Sequence, residues 1–251
     1  MTALSDALAV MHPLAATTAE RFLMAVDAEL PGLVTGLHVV GSAALDDFVP
    51  GRCDLDFVAV TAWRPDADAL DRLADMHATL ASTERTALDG NYVAAADWRG
   101  SGIEGLVVRS GRLEARSQRR DRPVDRLALS EHALTLRGPP PGWWDVPEVD
   151  GWAAQALGSL RLSADAAEVD EVVLGACRLH YLLALRRIAS KSEAGLYGLI
   201  TFEERWRRIV DEALRLRRSP DAPALYTDEG ERRREARAFV DMAAEDGLSL
   251  S

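Results

Sequence analysis

The chain has 251 residues, of which 48% are apolar and 27% are charged, values typical of a globular protein with a real hydrophobic core. No apolar run approaches the ~20 residues that a transmembrane helix needs, and the N-terminus lacks the basic start of a secretory signal, so we expect no membrane association and a cytoplasmic location. The net charge of −11 argues against nucleic acid as a partner and suits a cationic small molecule. We expect a monomer.

Helices and strands alternate in the predicted secondary structure of the first ~135 residues. In chain order, the predicted elements are a helix over 17–29, a strand over 37–40, a strand over 54–61, a helix over 66–85, a strand over 88–95 and a hairpin within 107–113.

After the Gly-Pro-Pro-Pro-Gly segment at 138–142, the pattern becomes helical only. The segments with helical periodicity are 153–162, 168–188, 202–216 and 230–244. The sequence therefore predicts an α/β (α+β) domain over residues 1–140 and an all-helical bundle domain over residues 141–251.

Two carboxylates stand at the start of the predicted strand 54–61. Side chains two apart on a strand point to the same face, so Asp54 and Asp56 should project together. Their mutual repulsion next to a buried apolar run is costly unless a cation lies between them. Mg²⁺ suits this place, because it prefers oxygen ligands and is commonly shared with phosphates. A solvated strand edge is the alternative for such a pair alone.

The residues ahead of this pair favour a phosphate site. Gly41 and Ser42 end the strand 37–40 and lead into what resembles a short helix. Backbone N–H groups at a helix start bind anions, and glycine lets a phosphate approach closely. This pattern, followed after 11 residues by Asp54-Leu55-Asp56, indicates metal-dependent phosphoryl or nucleotidyl transfer.

A third carboxylate, Asp89, opens the strand 88–95. If that strand lies beside the strand that carries Asp56, Asp89 can act as a third metal ligand or as the base that deprotonates an acceptor hydroxyl. A turn residue is the equally weighted alternative, since Asp-Gly is a common turn pair.

The segment LHVVGSAALDDFVPGRCDLDFVAV resembles the polymerase-β-like nucleotidyltransferases, and more closely the bacterial streptomycin and spectinomycin adenylyltransferases. The junction EHALTLRGPPPGWWDVP and the helical segment VVLGACRLHYLLALRRIASKSEA are also similar to that family. The resemblance implies a nucleotidyltransferase domain with a mixed sheet, ATP as co-substrate and Mg²⁺ as cofactor. It also implies that Asp89 takes the place of the family's catalytic glutamate.

The resemblance further assigns nucleotide and acceptor contacts. Arg178 and Lys191, the only lysine of the chain, fall on nucleotide-contacting positions, and Cys53 stands where relatives commonly have a nucleotide-contacting serine. The nucleotide-contacting aspartate of the family corresponds either to Asp121 or to Asp125 in this chain, and we expect the contact from Asp121. The carboxylates expected to bind the aminoglycoside are Glu168, Asp165 and Glu171.

The sequence thus predicts an enzyme that transfers AMP from ATP to a hydroxyl of an aminoglycoside or aminocyclitol antibiotic. Spectinomycin is expected to be favoured over streptomycin, because the positions that align with streptomycin-contacting residues of relatives are Ser159 and Ala164. The alternatives are a nucleotidyltransferase for another small molecule, a protein or tRNA, as in toxins of the superfamily, and a non-catalytic nucleotide-binding regulator.

Overall fold

The computed structural model of the chain describes residues 3–98, 105–114, 122–141, 148–164 and 167–250. The chain divides into two compact units, residues 1–145 and 146–251. We predicted a domain boundary at 140/141, and whether the two segments fold independently remains a prediction. None of the helices in the described ranges is long and apolar enough to cross a membrane.

The first unit is built on one mixed sheet of six strands. Its elements in chain order are α1 (Ala3–Ala9), α2 (Pro13–Glu29), β1 (Val34–Val39), α3 (Gly41–Ala44), β2 (Leu55–Thr61), α4 (Ala67–Thr83), β3 (Leu88–Ala94), β4 (Gly105–Arg109), β5 (Arg112–Glu114), α5 (Pro123–His132) and β6 (Leu134–Arg137). The strand order is β5-β4-β3-β2-β1-β6. Only β2 and β3 run parallel, and the other neighbouring pairs are antiparallel. The predicted α/β fold with a mixed sheet is therefore confirmed.

One face of this sheet carries the main hydrophobic core. Helices α2 and α4 supply part of it, and Phe22 of α2 packs on Phe57 of β2 in a tilted arrangement with 4.9 Å between the ring centroids. Asp66 caps α4 by accepting from the Ala69 amide at 3.0 Å, which starts the helix where the sequence predicted. The same core holds a buried hydrogen bond of 2.8 Å between His77 Nε2 and the Tyr92 hydroxyl.

The opposite face of the sheet is covered more lightly. A small apolar cluster joins Val58 of β2 and Val93 of β3 to Leu129 of α5. Beside it, the buried His38 stacks on Trp98 and its Nδ1 lies 3.1 Å from the Thr135 hydroxyl. Burial lowers the pKa of His38 to about 4. The carboxylates Asp56 and Asp89 of the candidate site project from this lightly covered face.

The second unit consists of helices only, as far as it is described. They are α6 (Asp150–Ser163), α7 (Val169–Leu185), α8 (Lys191–Thr201), α9 (Arg207–Arg218), preceded by a short 3-10 turn, and α10 (Glu229–Leu248). Helix α7 is buried along most of its length and packs against the other four. The prediction of a helical second half is confirmed.

The structure differs from the sequence-based expectation at the segment 168–194. The predicted helix over 168–188 and the long helix implied by the resemblance are replaced by two helices, because Arg186 adopts a left-handed conformation with φ 52° that ends α7. Ser190 then caps α8 by accepting from the Glu193 amide at 3.1 Å. Lys191 is therefore the first residue of a separate helix.

Candidate active site

The adjacent strands β2 and β3 bring two of the predicted carboxylates together. They pair in parallel, and Asp56 is the register partner of Asp89, although 32 residues separate them in the sequence. Register partners on neighbouring strands share a face. Two positions further along the same face, Val58 pairs with Asn91. The predicted role of Asp89 requires its strand to lie beside the strand of Asp56, and the two strands are indeed neighbours.

Gly41 lies directly against the carboxylate of Asp56. Its backbone has φ +67°, and a Cβ added there would overlap the Asp56 carboxylate, coming within 2.8 Å of its Cγ. The neighbouring Val40 amide donates to the Asp56 carbonyl at 3.0 Å. The predicted short helix is present, but it starts two residues earlier than expected: Gly41 and Ser42 form the first turn of α3, with Ser42 half-buried. Only glycine permits this close approach, which explains why the sequence places glycine here.

The third predicted ligand, Asp54, lies just before β2 and is exposed. Although the residue as a whole is exposed, its carboxyl group is partly desolvated by neighbouring atoms, and this raises the pKa of Asp54. Within the described ranges, no group of three or more His, Cys, Asp or Glu residues is arranged so that it could hold a metal ion. The structure thus brings Asp56 and Asp89 together, whereas the complete ligand set of Asp54, Asp56 and Asp89 stays a prediction.

Cys53 makes hydrogen-bond contacts within the loop that connects α3 to β2. Its Sγ accepts from the Val49 amide at 3.4 Å and lies 3.9 Å from the Asp47 carbonyl. These contacts fix the loop immediately before Asp54. A nucleotide contact from Cys53 remains a prediction, and Asp121 lies outside the described residues.

Arg122, which the sequence did not single out, stands at the N-terminus of α5 close to the carboxylates. Its guanidinium donates twice to Asp125, from Nε at 2.9 Å and from Nη2 at 2.7 Å. The pKa of Arg122 is raised, first by the hydrogen bond to Asp125, against the opposing effect of burial, and then by the charges of Asp125, Asp56 and Asp89. The only sequence signal for this residue is the Arg-x-x-Asp spacing at a helix start.

In the second unit, the residues assigned to the nucleotide lie around the start of α8. Arg178 of α7 donates from Nε to the Ala189 carbonyl at 3.1 Å, two residues before Lys191. Lys191 forms an ion pair with Glu171. Arg218, a second residue not singled out from the sequence, donates from Nε to the Ser192 hydroxyl at 2.9 Å. Three cationic side chains therefore gather near one helix N-terminus.

The carboxylates assigned to the acceptor have different surroundings. Glu168 occupies the N-cap position of α7 and is exposed, and its side chain does not cap the helix. Glu171 is half-exposed and pairs with Lys191, so one ion pair joins a residue assigned to the acceptor with one assigned to the nucleotide. Asp165 lies outside the described residues.

Comparisons with known proteins agree with this fold. Residues 145–245 match the family model of the aminoglycoside adenylyltransferase C-terminal domain. The fold is similar to a crystal structure of the spectinomycin adenyltransferase AAD(9) from Enterococcus faecialis with ATP and spectinomycin, with a TM-score of 0.70 and 12% sequence identity over 93% of this chain and 98% of that one. No curated protein matches the chain by sequence.

The fold and the family model define the class of protein: the chain is a nucleotidyltransferase. More narrowly, the family model that residues 145–245 match is that of the aminoglycoside adenylyltransferase C-terminal domain. The enzyme class and the family resemblance predicted from the sequence are confirmed.

Proposed function

We propose that this enzyme transfers AMP from ATP to a hydroxyl group of an aminocyclitol antibiotic, with spectinomycin as the favoured acceptor. The family domain over residues 145–245 and the AAD(9) structure, which was solved with ATP and spectinomycin, support this choice of donor and acceptor. A cytoplasmic location and a monomeric state are part of the same proposal.

The observation that carries the proposal is the register of β2 and β3. It places Asp56 and Asp89 on neighbouring strands, with the Gly41 backbone against Asp56. Mg²⁺ is usually held by one or two protein carboxylates together with substrate phosphates. A pair of carboxylates beside an unhindered glycine fits this coordination, and Asp54 stands close enough in sequence to add a ligand. Bound there, Mg²⁺ would offset negative charge on the phosphates.

Asp89 is proposed as the general base. In this reaction the acceptor oxygen attacks the α-phosphorus in line, the bond from that phosphorus to the bridging oxygen breaks, and pyrophosphate leaves. The hydroxyl proton passes to the Asp89 carboxylate, which must be ionised to accept it. Gly41, Ser42, Cys53, Asp121, Arg178 and Lys191 are proposed to contact the nucleotide.

The acceptor preference is argued from the charges and side chains of the second unit. Glu168 offers an exposed carboxylate that suits secondary amines, and Asp165 and Glu171 are proposed to assist it. Streptomycin, the larger and doubly guanidinylated drug, would gain roughly 0.5–2 kcal/mol from an aromatic face under a guanidinium. Relatives also use an additional aspartate for streptomycin. Ser159, which hydrogen-bonds to the Gln155 carbonyl, offers no aromatic face, and the buried Ala164 offers no carboxylate.

The proposal is tested by incubating the protein with Mg²⁺, α-³²P-labelled ATP and a panel of aminocyclitol and aminoglycoside antibiotics. We expect labelled AMP on spectinomycin and release of pyrophosphate. Calorimetric titration of each drug into an Asp89→Asn variant loaded with ATP measures the preference separately from turnover. Spectinomycin should bind more tightly than streptomycin, and Glu168→Ala and added salt should weaken binding. If streptomycin binds at least as tightly, the argument from Ser159 and Ala164 is wrong; if no drug is labelled or bound, the proposed acceptor class is wrong.

A further inference from the structure

The N-terminus of α5 adds a permanent positive charge to the carboxylate pair. Arg122 precedes Pro123, the first residue of α5, and Leu129 of the same helix packs on Val58 and Val93. Val58 is two residues beyond Asp56 on β2, so its side chain shares the face of the sheet that carries Asp56 and Asp89. The packing of α5 therefore sets Arg122 on the side of the sheet where the carboxylates project.

The guanidinium of Arg122 is held in place. Both of its hydrogen bonds to Asp125 are short and parallel, the fork-to-fork geometry that fixes the orientation of a guanidinium. The two residues are three apart at a helix start, so the pair needs no other element to form. The guanidinium interacts electrostatically with both Asp56 and Asp89, and their negative charges contribute to the raised pKa of Arg122.

We propose that Arg122 is a positioning residue of the nucleotidyl-transfer site, where it balances the charge of Asp56 and Asp89 before a divalent cation arrives and thereby sets the cation concentration that the enzyme needs. This inference rests on the proposed function for the place of the cation. Two adjacent carboxylates repel each other when no cation is present. A fixed guanidinium relieves that repulsion, and it also competes with an incoming divalent ion because like charges repel.

The proposed role predicts a direction of change in divalent-cation affinity that a purely structural role of Arg122 would not produce. Removal of the Arg122 charge should tighten the binding of a divalent cation, whereas a mere loosening of the site would weaken it. Removal of the Asp125 carboxylate should act in the opposite direction, because Asp125 partly neutralises Arg122. Arg122→Lys keeps the charge and should stay near the wild type.

The experiment measures Mn²⁺ binding to the full-length protein without nucleotide, by electron paramagnetic resonance of the free ion at low ionic strength. Arg122→Gln should lower the Mn²⁺ dissociation constant about tenfold, the order expected for one unit charge near a divalent ion at a partly solvated site. Asp125→Asn should raise it severalfold. The matched control is Arg64→Gln, which removes the same charge from a residue that also pairs with an aspartate, Asp97, but at the opposite end of β2. The control should leave the Mn²⁺ dissociation constant within about twofold of the wild type.

The outcomes separate this inference from the proposed function. If Arg122→Gln binds Mn²⁺ no more tightly than the wild type or Arg64→Gln does, or if neither the wild type nor Arg122→Gln binds Mn²⁺, the role of Arg122 is refuted. The labelled-ATP assay on the wild type tests the function independently. AMP transfer by the wild type together with an unchanged Mn²⁺ affinity in Arg122→Gln would refute the inference alone. The expected Mn²⁺ pattern without labelling of any drug would refute the proposed acceptor class and leave the effect of Arg122 on cation binding standing.

Discussion

A methyl group at Gly41 would overlap the side chain of Asp56, a residue of the proposed active site. The residue has φ +67°, and an added Cβ would overlap the carboxylate of Asp56 and come within 2.8 Å of its Cγ and 3.1 Å of its Cβ. Carbon atoms in contact normally lie 3.5–4.0 Å apart. The substitution Gly41→Ala must therefore displace the Asp56 side chain, the backbone of α3, or both.

The free energy of unfolding should fall for two reasons. A left-handed conformation costs an alanine roughly 1–2 kcal/mol relative to glycine. Overlap with Asp56 adds the cost of moving a side chain in a confined place, typically 1–3 kcal/mol for an overpacked site. We therefore expect Gly41→Ala to lose about 2–5 kcal/mol of stability. AMP transfer should fall more than a hundredfold, because misplacing a group at the reacting centre by about 1 Å is that costly.

Gly51→Ala provides the matched control. Gly51 also has a left-handed backbone, with φ +76°, and lies in the same segment between β1 and β2, but an added Cβ would meet nothing within 4 Å. This variant should lose only the ~1–2 kcal/mol of backbone strain and keep most of its activity. Urea unfolding and initial rates with labelled ATP measure both variants. Equal losses of activity in Gly41→Ala and Gly51→Ala would refute the idea that Gly41 is required for its approach to Asp56.

Three further predictions concern charged groups. Asp56→Asn should abolish AMP transfer while leaving the circular dichroism spectrum unchanged; undiminished turnover would contradict the carboxylate site. Lys191→Ala should weaken ATP binding or turnover by roughly 1.5–3 kcal/mol, and Lys191→Arg should not restore it fully, since a planar fork is not a point charge; full rescue by arginine would refute this. Burial opposes the ionisation of Glu212, but hydrogen bonds from Arg215, the Leu225 amide and Arg232 outweigh it and lower the pKa of Glu212 from 4.5 to about 2. The resulting stabilisation, about 3 kcal/mol, should be complete above pH 4.5 and be lost as the pH falls towards 2, so wild type and Glu212→Gln should converge in stability at acidic pH; a constant difference would contradict this reasoning.

Much of the first unit follows from local sequence. The apolar run that follows Asp56, the helical spacing over 66–85 and the capping carboxylate of Asp66 produce β2 and α4 close to where they were predicted. The glycine of the Gly41-Ser42 pair also has a local cause, the left-handed backbone at the first residue of α3. Each of these signals depends on residues within one turn or one strand, which is why the sequence reveals them.

Other structural features could not be predicted from local sequence because they depend on residues that are distant in the chain. Strand β6 is four residues long and is defined by its pairing with β1, about 100 residues earlier in the chain. The break between α7 and α8 depends on a left-handed arginine, Arg186, which pairs with Asp150 of α6. No local pattern distinguishes Arg186 from the helical arginines nearby.

The amino-acid sequence by itself determined the central strands β2 and β3, the helix α4, the helical character of the second half and the carboxylates at the start of β2 and β3. The tertiary structure alone decided which charges meet. Asp56 and Asp89 are neighbours because two strands pair in one register out of several, Lys191 pairs with Glu171 across two helices, and Arg122 stands near both carboxylates because α5 packs on that face of the sheet. The electrostatic interaction between two charges depends on their separation in space, and the order of residues along the chain does not specify that separation until the core has packed.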